Sequence, residues 1–250
     1  DDLSKQHNWK IGWVALLVLS LLALSACGMV QPAKKPEVGP AGKPVEAKPN
    51  PPVMKRIRPA PTQLYDLEAI AGPLFEGINK GNWPQAENGI ANLQTTWEQT
   101  KQIVGEKKGV KDADEAIAGL TASVMGKKAV SAYEDLTKFM SSVSDVGKSY
   151  KLSPIADIIT VGNAIRNVSF YVQDRNWNKA ASKAKDLENT WNQAKPSVEQ
   201  VGVLGSTTTT HSYVKQLKDS VDAESQGAAE EHIANLNESM GLIREYYRGK

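Results

Sequence analysis

The sequence predicts an all-α protein in which two tandem antiparallel four-helix modules follow an apolar N-terminal segment and a proline-rich linker. An internal repeat, together with apolar residues spaced three and four apart through residues 62–247, supports this class. No stretch shows the alternating pattern of a β-strand. The predicted organisation of the 250 residues is 1–26, a segment that ends in an apolar run; 27–61, a linker; 62–151, the first helical repeat; and 152–250, the second.

The apolar segment runs from Ile11 to Cys27 and follows Lys5 and Lys10. At this length it can barely cross the ~30 Å hydrocarbon core of a bilayer as a helix. Length alone therefore leaves both a cleaved signal and an uncleaved membrane anchor open. Its last four residues resemble the lipobox of bacterial lipoproteins: Leu24, Ser25, Ala26 and Cys27.

The lipobox resemblance implies that residues 1–26 are a signal peptide and that Cys27 becomes the lipidated N-terminus. It also implies a diacylglyceryl group on the thiol and often an N-acyl chain such as palmitate. Because each buried CH₂ contributes ~0.8 kcal/mol, two or three chains hold a protein firmly on a membrane. We therefore expect a lipid-anchored protein on the cell membrane, facing outside the cytoplasm.

The linker contains nine of the thirteen prolines of the chain, all between residues 31 and 61. Proline is incompatible with helix interiors and central strands, so an extended segment is predicted. At ~3.1 Å per residue, 31 such residues reach roughly 95 Å when fully stretched. Seven Lys and Arg residues against two Glu give the linker a net charge of +5, which favours anionic headgroups.

The repeat is seen when the chain is aligned on itself at an offset of 94 residues. The 24 residues from Gly81 then match the 24 from Arg175 at nine positions, including Trp83 with Trp177 and Trp97 with Trp191. Further along, the offset drifts to 97 and then 100. Eight amphipathic helices are predicted, at 62–80, 82–105, 112–126, 128–150, 154–175, 176–199, 208–224 and 226–247.

Capping residues support several of these boundaries. Asn82 and Asn176 suit N-caps, Asp112 and Asp114 suit the start of a helix dipole, and Ser153 precedes Pro154. The threonine run at 207–210 lies at the loop before the seventh predicted helix and is interpreted as a flexible polar insert, the alternative being a partner contact that the second repeat acquired. Each four-helix set carries enough apolar seam to close on itself, which favours independent or nearly independent bundles; the alternative is seams that face each other across a junction near Ser153 and Pro154.

The two modules resemble a group of bacterial lipoproteins of unknown function, whose mature part is a single module of this kind. Both copies show the pattern of that group: Trp83, Ala86, Trp97 and Lys101, then Trp177, Ala180, Trp191 and Lys195. The resemblance implies no activity or catalytic residue. Because the four Trp lie on apolar seams, we expect them in the core, the alternative being an aromatic rim for a ligand.

Several function classes are disfavoured by the sequence. The formal charge of +2 argues against nucleic-acid binding, and the single Cys excludes a disulfide framework, a Cys-rich zinc site and haem attachment. His211 and His232 lack metal-ligand spacing and are interpreted as surface residues, the alternative being weak metal contact. GxSxG, P-loop, GxGxxG and HExxH motifs do not occur, so we predict no enzyme, cofactor or metal site.

The functional expectation is a structural or interaction module of the cell envelope, anchored through Cys27 to the membrane and facing an envelope protein or the cell wall. The alternative is a ligand-binding lipoprotein that captures a metal ion, a haem-like group or a lipid in or between its helical bundles. The sequence specifies neither the partner nor the oligomeric state.

Overall fold

The computed structural model describes residues 58–250. The lipobox residues Leu24, Ser25, Ala26 and Cys27, with most of the linker, lie outside the described residues. The described chain folds into eight α-helices without a strand, which confirms the all-α class. They are α1 (Thr62–Asn79), α2 (Trp83–Val104), α3 (Val110–Met125), α4 (Ala129–Gly147), α5 (Ile155–Gln173), α6 (Trp177–Val198), α7 (Leu204–Asp222) and α8 (Gln226–Arg248).

The predicted N-caps are confirmed at the equivalent helices α2 and α6. The Asn82 side chain accepts a hydrogen bond from the backbone N–H of Gln85, and that of Asn176 accepts one from Lys179. Each cap satisfies a backbone donor that the first turn of a helix leaves without a partner. The two repeats therefore begin their second helices with the same local chemistry.

The threonine run is where the predicted elements differ most from the structure. Residues 207–210 lie in the first turns of α7, and Thr207 and Thr210 are fully buried. The interpretation as a flexible insert is wrong, because each buried hydroxyl donates to the carbonyl four residues earlier, Thr207 to Val203 and Thr210 to Ser206. That bond satisfies the hydroxyl inside a helix and makes threonine acceptable there.

Each set of four helices closes into a ring. In the first module (α1–α4), α1 packs on α2 and α4, while α3 packs on α2 and α4. The second module (α5–α8) repeats this arrangement, with α5 on α6 and α8, and α7 on α6 and α8. The seams of both rings face inward, where Trp97, Phe139 and Trp191 are fully buried.

The two modules also pack against each other, which differs from the expectation of independent bundles. Helix α5 contacts both α1 and α4, and α8 contacts α1. Tyr65 bonds to Ser153 at 2.7 Å, and Arg248 Nε donates to Asp66 at 2.6 Å. The apolar seams inside each ring favour independent bundles, but α1, α4, α5 and α8 also contact helices of the other module.

We expect residues 58–151 and 152–250, expressed separately, to be poorly soluble or self-associated. Each half would expose side chains that are buried at the junction between the modules, where α1, α4, α5 and α8 meet, including Tyr65 and Tyr133. Light scattering after size-exclusion chromatography measures the association, and mixing the halves should restore a one-to-one complex. A monomeric half that unfolds cooperatively would contradict this expectation, and the intact chain is the control.

A cavity between the modules as candidate site

The tryptophans predicted to form the repeat core occupy two environments. Trp97 and Trp191 have no solvent exposure, whereas Trp83 and Trp177 are half-buried and pack against the core from its edge. The equivalent residues of the two repeats therefore behave alike. The structure does not bring the four rings together, because each pair belongs to a different module.

The two buried indoles use different acceptors at equivalent positions. Trp97 Nε1 donates to Asp114 Oδ1 at 2.7 Å, and Trp191 Nε1 donates to His211 Nδ1 at 3.2 Å. Asp114 and His211 are 97 residues apart, which is the local repeat offset. His211 is half-buried and has a structural partner, so its interpretation as a plain surface residue is wrong. His232 is also half-buried, with its ring centroid 6.4 Å from that of Tyr213.

A buried ion pair joins the modules. Arg166 on α5 donates to both carboxylate oxygens of Glu68 on α1, at 2.9 and 3.1 Å, and both side chains are 8% exposed. Asn163 accepts from Arg166 at 2.9 Å and donates to the Thr137 carbonyl on α4 at 3.2 Å. The network thus ties α5 to both neighbouring helices of the first module.

Burial is the main influence on the protonation of Glu68. It raises the pKa of this carboxyl above its ordinary value of 4.5, while the Arg166 guanidinium opposes the rise through charge and hydrogen bonding. Arg244 on α8 lowers the same pKa from a greater distance. Two cations therefore face one buried carboxylate at this end of the junction.

The junction is built on an approximate two-fold axis between equivalent helices. Glu68 and Gly162 are equivalent at the repeat offset of 94, yet they face each other, which is the signature of an isologous contact. The same holds at the level of helices, since the α4–α5 contact is the counterpart of the α8–α1 contact. A Cβ at position 162 would overlap the Glu68 carboxylate, so a larger residue there would displace one side of the ion pair.

Aromatic side chains fill the α4–α5 side of this axis. The rings of Tyr133 and Phe170 stack with centroids 4.0 Å apart and an interplanar angle of 6°. Tyr171 packs edge-on against Tyr133, with centroids 6.4 Å apart. The Tyr133 hydroxyl donates to Asn167 Oδ1 at 2.5 Å, which satisfies its polar end. This side of the junction is closed by well-packed rings.

The α8–α1 side carries different residues at the equivalent positions. Ile233 corresponds to Tyr133 and Glu76 to Phe170. These replacements remove two rings, and a cavity of about 540 Å³ lies there. Helices α1, α5 and α8 line it, with Glu68 and Arg166 among the lining residues. Its volume is in the range of small-molecule binding sites, roughly 300–1,000 Å³.

The wall of the cavity combines apolar and polar groups. The apolar part is formed by buried side chains of all three helices: Phe75, Ile165, Val172, Ile233 and Met240. Amide and hydroxyl groups lie among them, namely Asn79, Ser169, Gln173 and Asn237. A few polar groups on an apolar wall are typical of sites that orient a ligand. The cavity is therefore the candidate functional site.

The part of the chain that the structure describes contains neither a metal-binding group of side chains nor a membrane-spanning helix. Between residues 58 and 250, no three His, Cys, Asp or Glu side chains are grouped so as to hold a metal ion. None of the helices in this range has the length and hydropathy needed to span a bilayer.

Comparison of the chain with protein-family models, with curated proteins and with solved structures gives no match. Function therefore has to be inferred from the residues themselves.

The candidate site was missed in the sequence analysis, although the repeat alignment contains a signal for it. The repeat is recognised from positions that are similar in both copies. The cavity lies where the copies differ, because Tyr133 and Phe170 correspond to the smaller or polar residues Ile233 and Glu76. Positions at which one repeat has a smaller side chain than the other indicate the cavity. They can be interpreted only when the approximate two-fold arrangement of the two modules is known.

Proposed function

We propose that this protein is an extracytoplasmic lipoprotein of the bacterial cell envelope, anchored through Cys27 and acting as a structural or interaction module. The observation that carries the proposal is the lipobox sequence at Leu24, Ser25, Ala26 and Cys27, which ends an apolar run and precedes a proline-rich linker. A lipidated cysteine followed by an extended spacer is suited to holding the two folded modules away from the bilayer.

The packing of the two helical modules against each other supports an interaction role. Its two modules are joined by a buried ion pair and by the Arg248–Asp66 contact, so they can present their outer helices as one unit. In this proposal the body is not an enzyme, and its partner is another envelope protein or the cell wall. The linker sets the reach of that contact at roughly 95 Å from the membrane.

Replacing Cys27 with Ala should abolish lipid modification, because the Cys27 sulfur is the atom to which the diacylglyceryl group is attached. The variant should lose all metabolic labelling with a radioactive fatty acid, remain uncleaved or be secreted, and keep the helical content of the wild type by circular dichroism. Ser25→Ala is the matched control, since it keeps a small residue in the motif and should still be labelled. Labelling of the Cys27→Ala protein would contradict the anchor.

A second candidate function is ligand binding, and a specific observation favours it. The cavity lies on one side of an otherwise two-fold junction, where the opposite side is filled by Tyr133, Phe170 and Tyr171. Loss of packing on one side destabilises a core unless something else is gained. A lipoprotein that captures a small molecule between its modules is consistent with this asymmetry.

A further inference from the structure

The cavity is an elongated groove with opposite charge at its two ends. Glu230 and Arg244 both line it and lie fourteen residues apart on α8, which corresponds to about 21 Å along a helix. Helix α1 runs antiparallel on the other wall, from Glu68 near Arg244 to Lys80 near Glu230. Helix α5 forms the floor between them.

The end near Glu230 has a net charge of −1. Its lining residues are Glu76, Lys80 and Glu230, and the Lys80 ammonium is paired with Glu76 at 2.8 Å. Glu230 accepts a hydrogen bond from the neutral side chain of Gln226 at 3.1 Å. A carboxylate whose charge is not compensated by a direct cation contact therefore faces this end and would attract an ammonium group.

The lining residues at the end near Arg244 have a summed formal charge of +1. Its lining residues are Glu68, Arg166 and Arg244, and Glu68 is held bidentately by Arg166. Arg244 is 23% exposed and contacts the more exposed Glu245 at 3.4 Å. Its guanidinium keeps several donors for an oxyanion, and guanidinium groups bind carboxylates in a planar, two-pronged geometry.

Between these ends the wall offers apolar surface and side-chain amides. Phe75, Val172 and Ile233 provide the apolar part, and Asn79, Gln173 and Asn237 each carry both a donor and an acceptor. Backbone amides of an extended peptide need such alternating donors and acceptors. At ~3.3 Å per residue, a groove of this length accommodates about four to six residues.

We propose that the cavity binds a short peptide with free termini, its amine at Glu230 and its carboxylate at Arg244. This proposal rests on the second candidate function, ligand binding at the junction, and specifies the class of ligand. A fatty acid would be complementary to the Arg244 end and the apolar wall but would offer no group complementary to the Glu230 carboxylate. The opposite charges at the two ends therefore favour the peptide.

The first experiment incubates the full chain, purified in detergent micelles, with an equimolar pool of tetrapeptides carrying free termini. Mass spectrometry of the material retained after desalting identifies what is bound. We expect a subset of apolar tetrapeptides to be enriched. Retention of no peptide would overturn the proposal, as would retention of co-purified fatty acid alone, although that result would leave ligand binding intact.

The second experiment tests the direction of binding with one retained peptide in free, N-acetylated and C-amidated forms. Isothermal titration calorimetry should show that acetylation weakens binding to the wild type about tenfold, and that Glu230→Gln removes this difference. Amidation should behave in the same way with Arg244→Gln. Glu231→Gln and Lys215→Gln, outside the cavity, are the matched controls. Equal affinity for all three forms would overturn the proposal.

A third variant closes the cavity without altering its charged ends. Ile233→Tyr copies the residue that fills the opposite side of the junction, so it should reduce peptide affinity at least about tenfold while the chain stays folded. Unchanged affinity in a folded Ile233→Tyr protein would place the peptide elsewhere and overturn the assignment. If this variant does not fold, the Glu230→Gln and Arg244→Gln titrations still decide the question.

Discussion

Arg166→Met should lower the free energy of unfolding by about 3–5 kcal/mol, because it leaves the buried carboxylate of Glu68 without its partner. The double variant Glu68→Leu/Arg166→Met removes both charges and should regain most of this loss. Urea denaturation of the three proteins at pH 8 measures the difference. If Arg166→Met alone were as stable as the wild type, the ion pair would contribute little to stability at the junction.

The same substitution should change how stability depends on pH. Burial already raises the pKa of Glu68 above 4.5, and without Arg166 this pKa rises further. A raised carboxyl pKa means that stability is fully present below the ordinary value and is lost as the pH rises through the folded-state value. The deficit of Arg166→Met relative to wild type should therefore be smaller at pH 5 than at pH 8.

Trp97→Ala should lower the free energy of unfolding by about 3–5 kcal/mol, since the indole is fully buried and packs edge-on against Phe139 at 5.6 Å. Trp191→Ala should have an effect of the same size in the second module. The half-buried Trp83 is the matched control within the same helix, and Trp83→Ala should cost roughly half as much.

Thermal and urea unfolding of these variants measure the comparison, and fluorescence adds an independent check. Emission from a protein that retains Trp97 and Trp191 alone should be blue-shifted and poorly quenched by iodide, because neither ring contacts water. Equal losses for Trp83→Ala and Trp97→Ala, or readily quenched emission, would contradict the two classes of tryptophan that the structure defines.

Much of the fold could be predicted from periodicity and caps. The helical seam through Trp83, Trp97 and Val104 reappears at Trp177, Trp191 and Val198, and a seam of this kind is sufficient to specify an amphipathic helix. The Asn82 and Asn176 caps fixed the starts of α2 and α6 because the chemistry is local. The duplicated four-helix arrangement follows from the same pattern.

The junction and its cavity could not be predicted in this way. Glu68 and Arg166 are 98 residues apart. Each is a single charged residue on a helix, and such a residue is equally compatible with an exposed position. Only the approach of α1 to α5 shows that the two charges are buried together. The prediction of a flexible insert at 207–210 was wrong for a related reason. A threonine is polar in sequence even where its hydroxyl donates to a carbonyl of its own helix and is buried.

The exchange of Glu68 and Gly72 in the first repeat for Gly162 and Arg166 in the second makes the two halves of the chain non-interchangeable. If two first modules met through this junction, two carboxylates would be buried without a cation, and two second modules would bury two guanidinium groups. Like charges in a desolvated contact disfavour both pairings by several kcal/mol. Only a first module and a second module are compatible at this junction. Because both are in one polypeptide, each has its compatible partner module at a fixed ratio and a high local concentration.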